Sequence, residues 1–539
     1  MALAVLGGAR GVAAQLQVPG NYPTIQAAIA AANPGDTVVV APGTYAETLD
    51  FLGKDLTVRS SGGPLVTTIR NPSTGFVAGV TFHGGETPAA RLEGFTLRDF
   101  RPAVEALGSA PTIRGNRFVD NWFWDVYVQG ASAAAVIGNA FLQGRGDTLA
   151  VEFADSDGVI ALNGVRDHAR GGVLLLGDSQ VDVHHNVIKD SGGWNFYAPA
   201  IFLDTAAAVT PLVAANVLLR NGVSAITASS GSPVVNATIR DNRFLANVGP
   251  NWSVLAASTN LGTLVFEHNL CLGPPPPVAQ VGEFVRCDAG TLVLRNNVFA
   301  RNVDTNAALW TLAIEAPYGP LTFENNLLHG VEQGVFHGST ALATVALASI
   351  CWDITYPWNT LVGGGIAPAW CDIGPQPQGG PTNISLDPRF VDPADGDYHL
   401  LAGSPCIDAP SVGTTVTRDL DGRPRDATPD LGPYEYVGRA HWFRGAAEGG
   451  TVAKIVAQGQ PGEAVFLGFA TALLPAPVAT PLGNLHLAAP AVLFLGSIGA
   501  NGILVYPLAI PASETPVRFR TQAVVGATLT TPVDWLVGG

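Results

Sequence analysis

The sequence predicts an all-β chain: a β-helix solenoid, closed at its start by one short helix and followed by a small β-sandwich. Three observations carry that prediction. The first is a phrase that occurs ten times between residues 113 and 361: an apolar residue, two variable positions, an asparagine, one more variable position and usually another apolar residue. The second is its spacing. The asparagines, Asn116, Asn139, Asn163, Asn186, Asn216, Asn242, Asn269, Asn297, Asn326 and Asn359, stand 23 to 33 residues apart, a period at which one unit cannot bury its apolar face alone and must stack on its neighbours. The third is a change of character beyond residue 440, where short apolar runs punctuated by Gly and Pro replace the phrase.

Taken in order, residues 1–14 are mostly apolar and interrupted by Arg10, and Val12 and Ala14 suit signal-peptidase cleavage before Gln15. They read as a signal peptide with its beginning missing. Thr24 can cap a helix in which Ile25, Ile29 and Ala32 share one face, and Gly35-Asp36 ends it. A stack of coils exposes unpaired strand edges, so this helix is expected to cover the first coil. Thr37–Val40 then reads as a strand and Pro42-Gly43 as a turn.

Within the coils, apolar residues flank each asparagine at short intervals, as in strands. An asparagine at the same point of successive coils stacks on its neighbours at roughly 4.8 Å. Its amide both donates and accepts, so a ladder satisfies every member except at its ends. The ten asparagines are therefore read as architecture. Five residues further on, Asn121, Gly144, Asn221, Asn247 and Asn302 mark the next corner, because Asn and Gly tolerate left-handed backbone angles.

The chain has 28 basic against 43 acidic residues and a net charge of -15, which argues against a nucleic-acid partner and an anionic membrane surface. No run of 18 apolar residues offers a transmembrane span. Five cysteines fit no zinc spacing. Cys271 and Cys287 flank the excursion Pro274–Pro277 and are predicted to be joined; Cys351, Cys371 and Cys406 leave one thiol over, with no pairing chosen.

The phrases Val18-Pro19-Gly20-Asn21-Tyr22-Pro23-Thr24-Ile25-Gln26-Ala27-Ala28-Ile29, Pro34-Gly35-Asp36-Thr37-Val38 and Ala41-Pro42-Gly43-Thr44-Tyr45 resemble the opening of secreted bacterial right-handed parallel β-helix proteins with the pectin-lyase-like fold. Leu92–Leu97 resembles their first full coil. Asp387–Asp392, Gly396–Leu400, Gly403–Asp408, Asp419, Asp421–Pro424 and Asp430–Tyr436 resemble the closing segment called choice-of-anchor Q. The resemblance covers about residues 15–437, with the closing segment at about 383–437. It implies the fold and an extracellular or cell-surface location, and it implies no reaction. Six aspartates there, Asp387, Asp392, Asp395, Asp397, Asp419 and Asp421, are either turn residues or oxygen ligands for Ca2+, though their order matches neither an EF-hand loop nor a nonapeptide repeat. Residues 440–539 then offer seven apolar runs in about a hundred residues, the pattern of an antiparallel β-sandwich.

Two sets of residues are candidates for function. Six to eight positions after consecutive asparagines stand Trp122 and Trp124, Asp147, Arg170 and Trp194, with Tyr197 close behind and Trp252 further along. In register, these form a strip of aromatic and charged groups suited to a glycan, since aromatic faces pack on sugar C–H faces while Asp and Arg bind hydroxyls or carboxylates. The alternative is tryptophans that pack against the outside of the coils. The second set is Arg166-Asp167 and Lys189-Asp190 on adjacent coils, with His168 or His185 nearby, which could supply the base and the carboxylate neutralisation of a polysaccharide lyase. The sequence thus predicts a surface for extracellular polysaccharide or cell-envelope binding, with a lyase as the alternative.

Overall fold

The computed structural model describes residues 13–539 apart from 131–132, 193–198, 207–208, 223, 230–235, 248–251, 259–261, 274–281, 289, 303–311, 317–318, 338–343, 361–365, 376–379, 446–447 and 449. Up to residue 374 the chain winds as a parallel β-solenoid with three strand-bearing faces. The first face is a column of 15 parallel strands running from Gln15–Val18 to Ile366–Ala369. The second runs from Gly43–Ala46 to Asp372–Gly374. The third runs from Leu49–Asp50 through Val104–Leu107, Trp122–Gln129 and Arg145–Ala154. In each strand alternate side chains turn inward. Phenylalanines thereby stack coil on coil, with Phe118 and Phe141 rings 4.8 Å apart and Phe244 and Phe266 5.7 Å apart.

The helix Ile25–Ala31 covers the first coil and buries Ile25, Ala28 and Ile29 against it. Both of its ends are satisfied. Thr24 Oγ1 accepts from Ala27 N and Glu47 accepts from Ile25 N and Gln26 N, while Lys54 Nζ donates to the carbonyls of Ile29, Ala30 and Ala32.

The asparagine ladder lies at the corner between the first and second faces. From Asn116 to Asn297, each member donates its backbone N–H to the Oδ1 of the next at 2.9–3.0 Å. Each Nδ2 also reaches a carbonyl of an adjacent coil at 2.8–2.9 Å. The ladder has nine asparagines and not ten. After Asn326 the next rung is Ser349, whose Oγ accepts from Asn326 N at 3.1 Å. Asn359 lies instead in the long strand Ile350–Thr360, opposite Phe336. Serine supplies the acceptor that the ladder needs, so the expected phrase is broken there while the coil is not.

The next corner also bears a ladder, a shorter one. Asn247 accepts from Asn221, Asn221 accepts from Ser191 and Ser191 accepts from His168. At Gly144 a Cβ would meet Thr148 Cβ at 2.4 Å, which is why glycine fills that rung.

Cys271 and Cys287 are not joined. Both side chains point into the apolar core, where Cys271 takes the inward position between Phe244 and Phe299 of the neighbouring coils. Burial pushes the Cys271 thiol well above its ordinary pKa.

The outward side of the second face is largely apolar from Val187 onward, Lys189 and Arg243 excepted, and is covered. Tyr398, Leu400, Cys406, Leu431 and Tyr434 of the segment 387–436 pack on Val217, Leu219, Leu245, Leu272, Val298 and Leu327. Beyond it lie three antiparallel sheets: Ala440–Arg444, Val452–Gln458 and Ile503–Ala509 in one, Ala464–Ala470, Ala491–Ser497, Pro516–Val525, Thr528–Leu529 and Val533–Gly538 in the second, and the pair Leu473–Thr480 and Gly483–Leu487 in the third. The inward residues of the first two, Ile455, Leu467, Ala523 and Trp535 among them, form one cluster. Each of the seven expected runs is a strand. No helix among the described residues is long and apolar enough to cross a membrane.

Candidate functional site

The second face is where the lyase candidates lie, and there the structure separates them. Lys189 is buried at the outward end of Val187–Lys189, donating to Glu448 Oε1 at 3.2 Å and to the Gly539 carbonyl at 2.7 Å. Glu448 also binds Arg220, which in turn grips Asp190. Lys189 and Asp190 are thus an anchor for the C-terminal sheets. His168 is 0% exposed, with Nε2 2.8 Å from Asp125 Oδ2 and Nδ1 2.8 Å from the Arg166 carbonyl. Asp125 Oδ1 accepts from Asn121 Nδ2, so this histidine is a member of a buried corner network. Arg166 and Asp167 are exposed, and His185 packs edge-on to His184 with burial holding it down to about 4.

Among the described residues the later segments make no hydrogen bond or ion pair with the third face, and it carries the aromatic strip. Three consecutive aromatics, Trp122-Phe123-Trp124, open the strand Trp122–Gln129. In a regular strand they would alternate between core and solvent. The pairing with Arg145–Ala154 instead shifts register between Trp122 and Trp124, and Phe123 at the shift has φ 64°. This bulge turns Phe123 outward beside Trp122, with the two residues 39% and 38% exposed.

Arg101 completes the patch. Its guanidinium carbon lies 3.7 Å from the ring centre of exposed Phe76, 3.5 Å from that of Phe123 and 5.5 Å from that of Trp122. Among the described residues Arg101 makes no ion pair and its Nε has no acceptor.

Trp124 is half-buried on the other side of the bulge, where its Nε1 donates to Glu152 Oε2 at 2.5 Å and Arg170 stands over its ring at 6.0 Å. Burial raises the Glu152 pKa, opposed by the indole N–H and by Arg170. Asp147 is exposed near the start of the adjoining strand Arg145–Ala154, next to Gly146, whose place a side chain would fill against the Trp122 ring. Beside the patch, Asp99 and Asp120 are linked through Arg98 and Arg145.

The structure therefore brings Trp122, Trp124, Asp147 and Arg170 onto one side of the solenoid. Trp194 and Tyr197 lie outside the described residues, as does the side chain of Trp252. Phe76, Arg101, Phe123 and Glu152 were not found from sequence. The signal for Phe123 was present, since three consecutive bulky aromatics break the alternation of a half-buried strand.

The aspartates of the segment 387–436 are engaged by groups of the chain itself. Asp397 and Asp421 hold His399 between them at 2.7 and 2.9 Å, and Asp421 also pairs with Arg423. Asp392 and Asp395 meet Arg444, Asp419 accepts from Arg423 N and Glu435 N, and Asp387 accepts from Arg389 N. Among the described residues no three His, Cys, Asp or Glu are grouped to hold a metal ion.

A family model described as the right handed beta helix region matches residues 67–269. Among solved structures, pectate lyase Pel9A is similar at 14% identity over 79% of this chain and 96% of that one, with a TM-score of 0.26. A PL6 alginate lyase in complex with a trisaccharide has 14% identity over 78% and 92%, with a TM-score of 0.31. The catalytic unit of a GH87 alpha-1,3-glucanase from Streptomyces thermodiastaticus has 14% identity over 71% and 68%, with a TM-score of 0.28. No curated protein matches the chain. The chain is a right-handed β-helix, and at these identities and scores no residue of the neighbours is carried across to it.

Proposed function

We propose that the protein is an extracellular or cell-surface β-helix that holds a glycan against its third face without cutting it. The observation that supports this reading is the Arg101 patch: a guanidinium flanked by Phe76 and Phe123, with Trp122 alongside and no ion pair among the described residues. Flat apolar faces beside an unpaired cation suit a sugar ring, whose C–H face packs on aromatics while its polar substituents reach the cation. The backbone at Phe123 adopts a left-handed angle, and its ring is left partly exposed beside Arg101. The extracellular placement rests on the sequence resemblance of the opening and closing phrases. The lyase alternative has no comparable support, because His168 and Lys189 are buried and engaged.

The test is retention of the purified protein on immobilised uronate and neutral polysaccharides, with new reducing and unsaturated ends recorded in parallel. Retention that is lost in Arg101→Ala and Trp122→Ala, with no new ends, supports the reading. New unsaturated ends would replace it with the lyase, and no retention on any glycan would sink it.

A further inference from the structure

A second site lies between the solenoid, the segment 387–436 and the C-terminal sheets. Along the outward side of the second face, consecutive coils place Val187, Val217, Arg243, Leu270, Val298, Leu327 and Ile350 in register. One charged residue interrupts this apolar row. Arg243 is half-buried, and among the described residues its guanidinium has no carboxylate partner, giving one hydrogen bond of 3.3 Å to the Gly445 carbonyl. Burial lowers its pKa, so the fold bears the cost of desolvating this cation without an ion pair in return.

Arg243 lines a cleft of about 530 Å³ and a smaller chamber of about 100 Å³. The acids that face these spaces are already neutralised. Asp241 pairs with Arg240, Asp534 with Arg518 and Arg520, and Asp421 with His399 and Arg423. Arg243 is left over. Leu270, Tyr434, Phe443 and Trp535 form the apolar part of the cleft wall, with Tyr434 packed on His399 and Phe443 stacked on Trp535, and charged side chains form the rest. Trp535 lines both spaces, and its Nε1 has no acceptor among the described residues.

We propose that this cleft binds a small molecule carrying one carboxylate on a flat apolar body, with the carboxylate on Arg243 and the body against Tyr434, Phe443 and Trp535. A guanidinium offers two parallel donors that match a carboxylate, and the apolar neighbours in its row reduce the competition from water for that pair.

The full-length protein is titrated calorimetrically with benzoate, with its neutral counterpart benzyl alcohol and with acetate, which lacks the body. Benzoate is expected to bind with a Kd of about 1 mM, the range open to a ligand of this size, and the other two at least about tenfold more weakly. Arg243→Met should keep the wild-type melting temperature, because no ion pair is broken, and should lose benzoate at least about tenfold. Failure of benzoate to bind, equal binding of benzyl alcohol, or undiminished binding in Arg243→Met overturns the site. Unfolding of Arg243→Met also overturns it, by making Arg243 a structural anchor.

Discussion

Asn186 donates twice to the same atom: its backbone N–H and its Nδ2 reach Oδ1 of Asn216 at 2.9 and 3.0 Å. Its own Oδ1 accepts the same pair of bonds from Asn163. One residue thus closes four hydrogen bonds between three coils, in a corner from which water is excluded.

Asn186→Leu keeps the backbone bond to Asn216 but removes the other three and the Nδ2 bond to the Ile160 carbonyl, stranding the two Asn163 donors, at a cost on the order of 1–3 kcal/mol. Ser349→Ala, at the end of the ladder, leaves one donor, Asn326 N, without its acceptor and should cost less, about 1 kcal/mol. Chemical denaturation of the two variants checks the order. Equal losses would count against a ladder whose members depend on both neighbours.

The C-terminal sheets are held to the solenoid by Glu448, which binds buried Lys189 and half-exposed Arg220. Glu448→Gln keeps an amide acceptor for Lys189 beside the Gly539 carbonyl but removes the carboxylate that neutralises it inside the protein. The expected loss is about 2 kcal/mol, with earlier protease cleavage between residues 437 and 452 than in the wild type. Unchanged cleavage and melting would show that the apolar contacts alone dock the sheets.

The thiol prediction reverses the one drawn from spacing. Cys271 sits between Phe244 and Phe299 with its pKa raised by burial, so it should resist alkylation in the folded protein and react at once in denaturant. Non-reducing peptide mapping should recover Cys271 and Cys287 on separate peptides; a linked peptide would reject the arrangement.

Repetition made the solenoid legible in sequence. Nine asparagines at one structural position leave a phrase that single strands never do, and the seven apolar runs beyond residue 440 end at turn residues. The errors arose where chemistry was conserved but the residue was not. Ser349 does the work of an asparagine and hides the last rung, and the phrase around Asn359 imitates one from within a strand. Proximity across coils was less visible. Arg101 reaches Phe76 and Phe123 from different coils, and Lys189 meets Glu448, 259 positions away in the chain. No offset from the ladder encodes such pairs, because they depend on how later segments fold back over the second face.

His399 is a buried titrating group with a defined pH window. Burial opposes its charge, but the carboxylates of Asp421 and Asp397 outweigh that and hold its pKa at about 9, above the ordinary 6.5. Its folded-state pKa is raised, so its contribution is fully present below about 6.5 and is lost as pH rises through 9. The stability lost across that window should be on the order of 3 kcal/mol. His399→Gln should melt lower at pH 6 and show a flatter profile between pH 6.5 and 9.5. The same slope in both proteins would assign the pH dependence to another group.

Phe123 separates folding from binding on the third face. Its left-handed backbone angle costs a non-glycine residue about 1 kcal/mol, and its side chain returns little to the core because it is 39% exposed. Phe123→Gly relieves the angle but removes one of the two rings that flank Arg101. Phe123→Gly is therefore expected to melt at or slightly above the wild-type temperature while its retention on a glycan column falls several-fold. Trp124→Ala should behave differently, since it empties a half-buried position and leaves Glu152 without its indole donor, at a cost of about 2 kcal/mol or more. Paired melts and retention measurements decide between the two roles. A Phe123→Gly variant that is clearly destabilised and still retained would make the bulge a folding element and remove the strained aromatic from the binding surface.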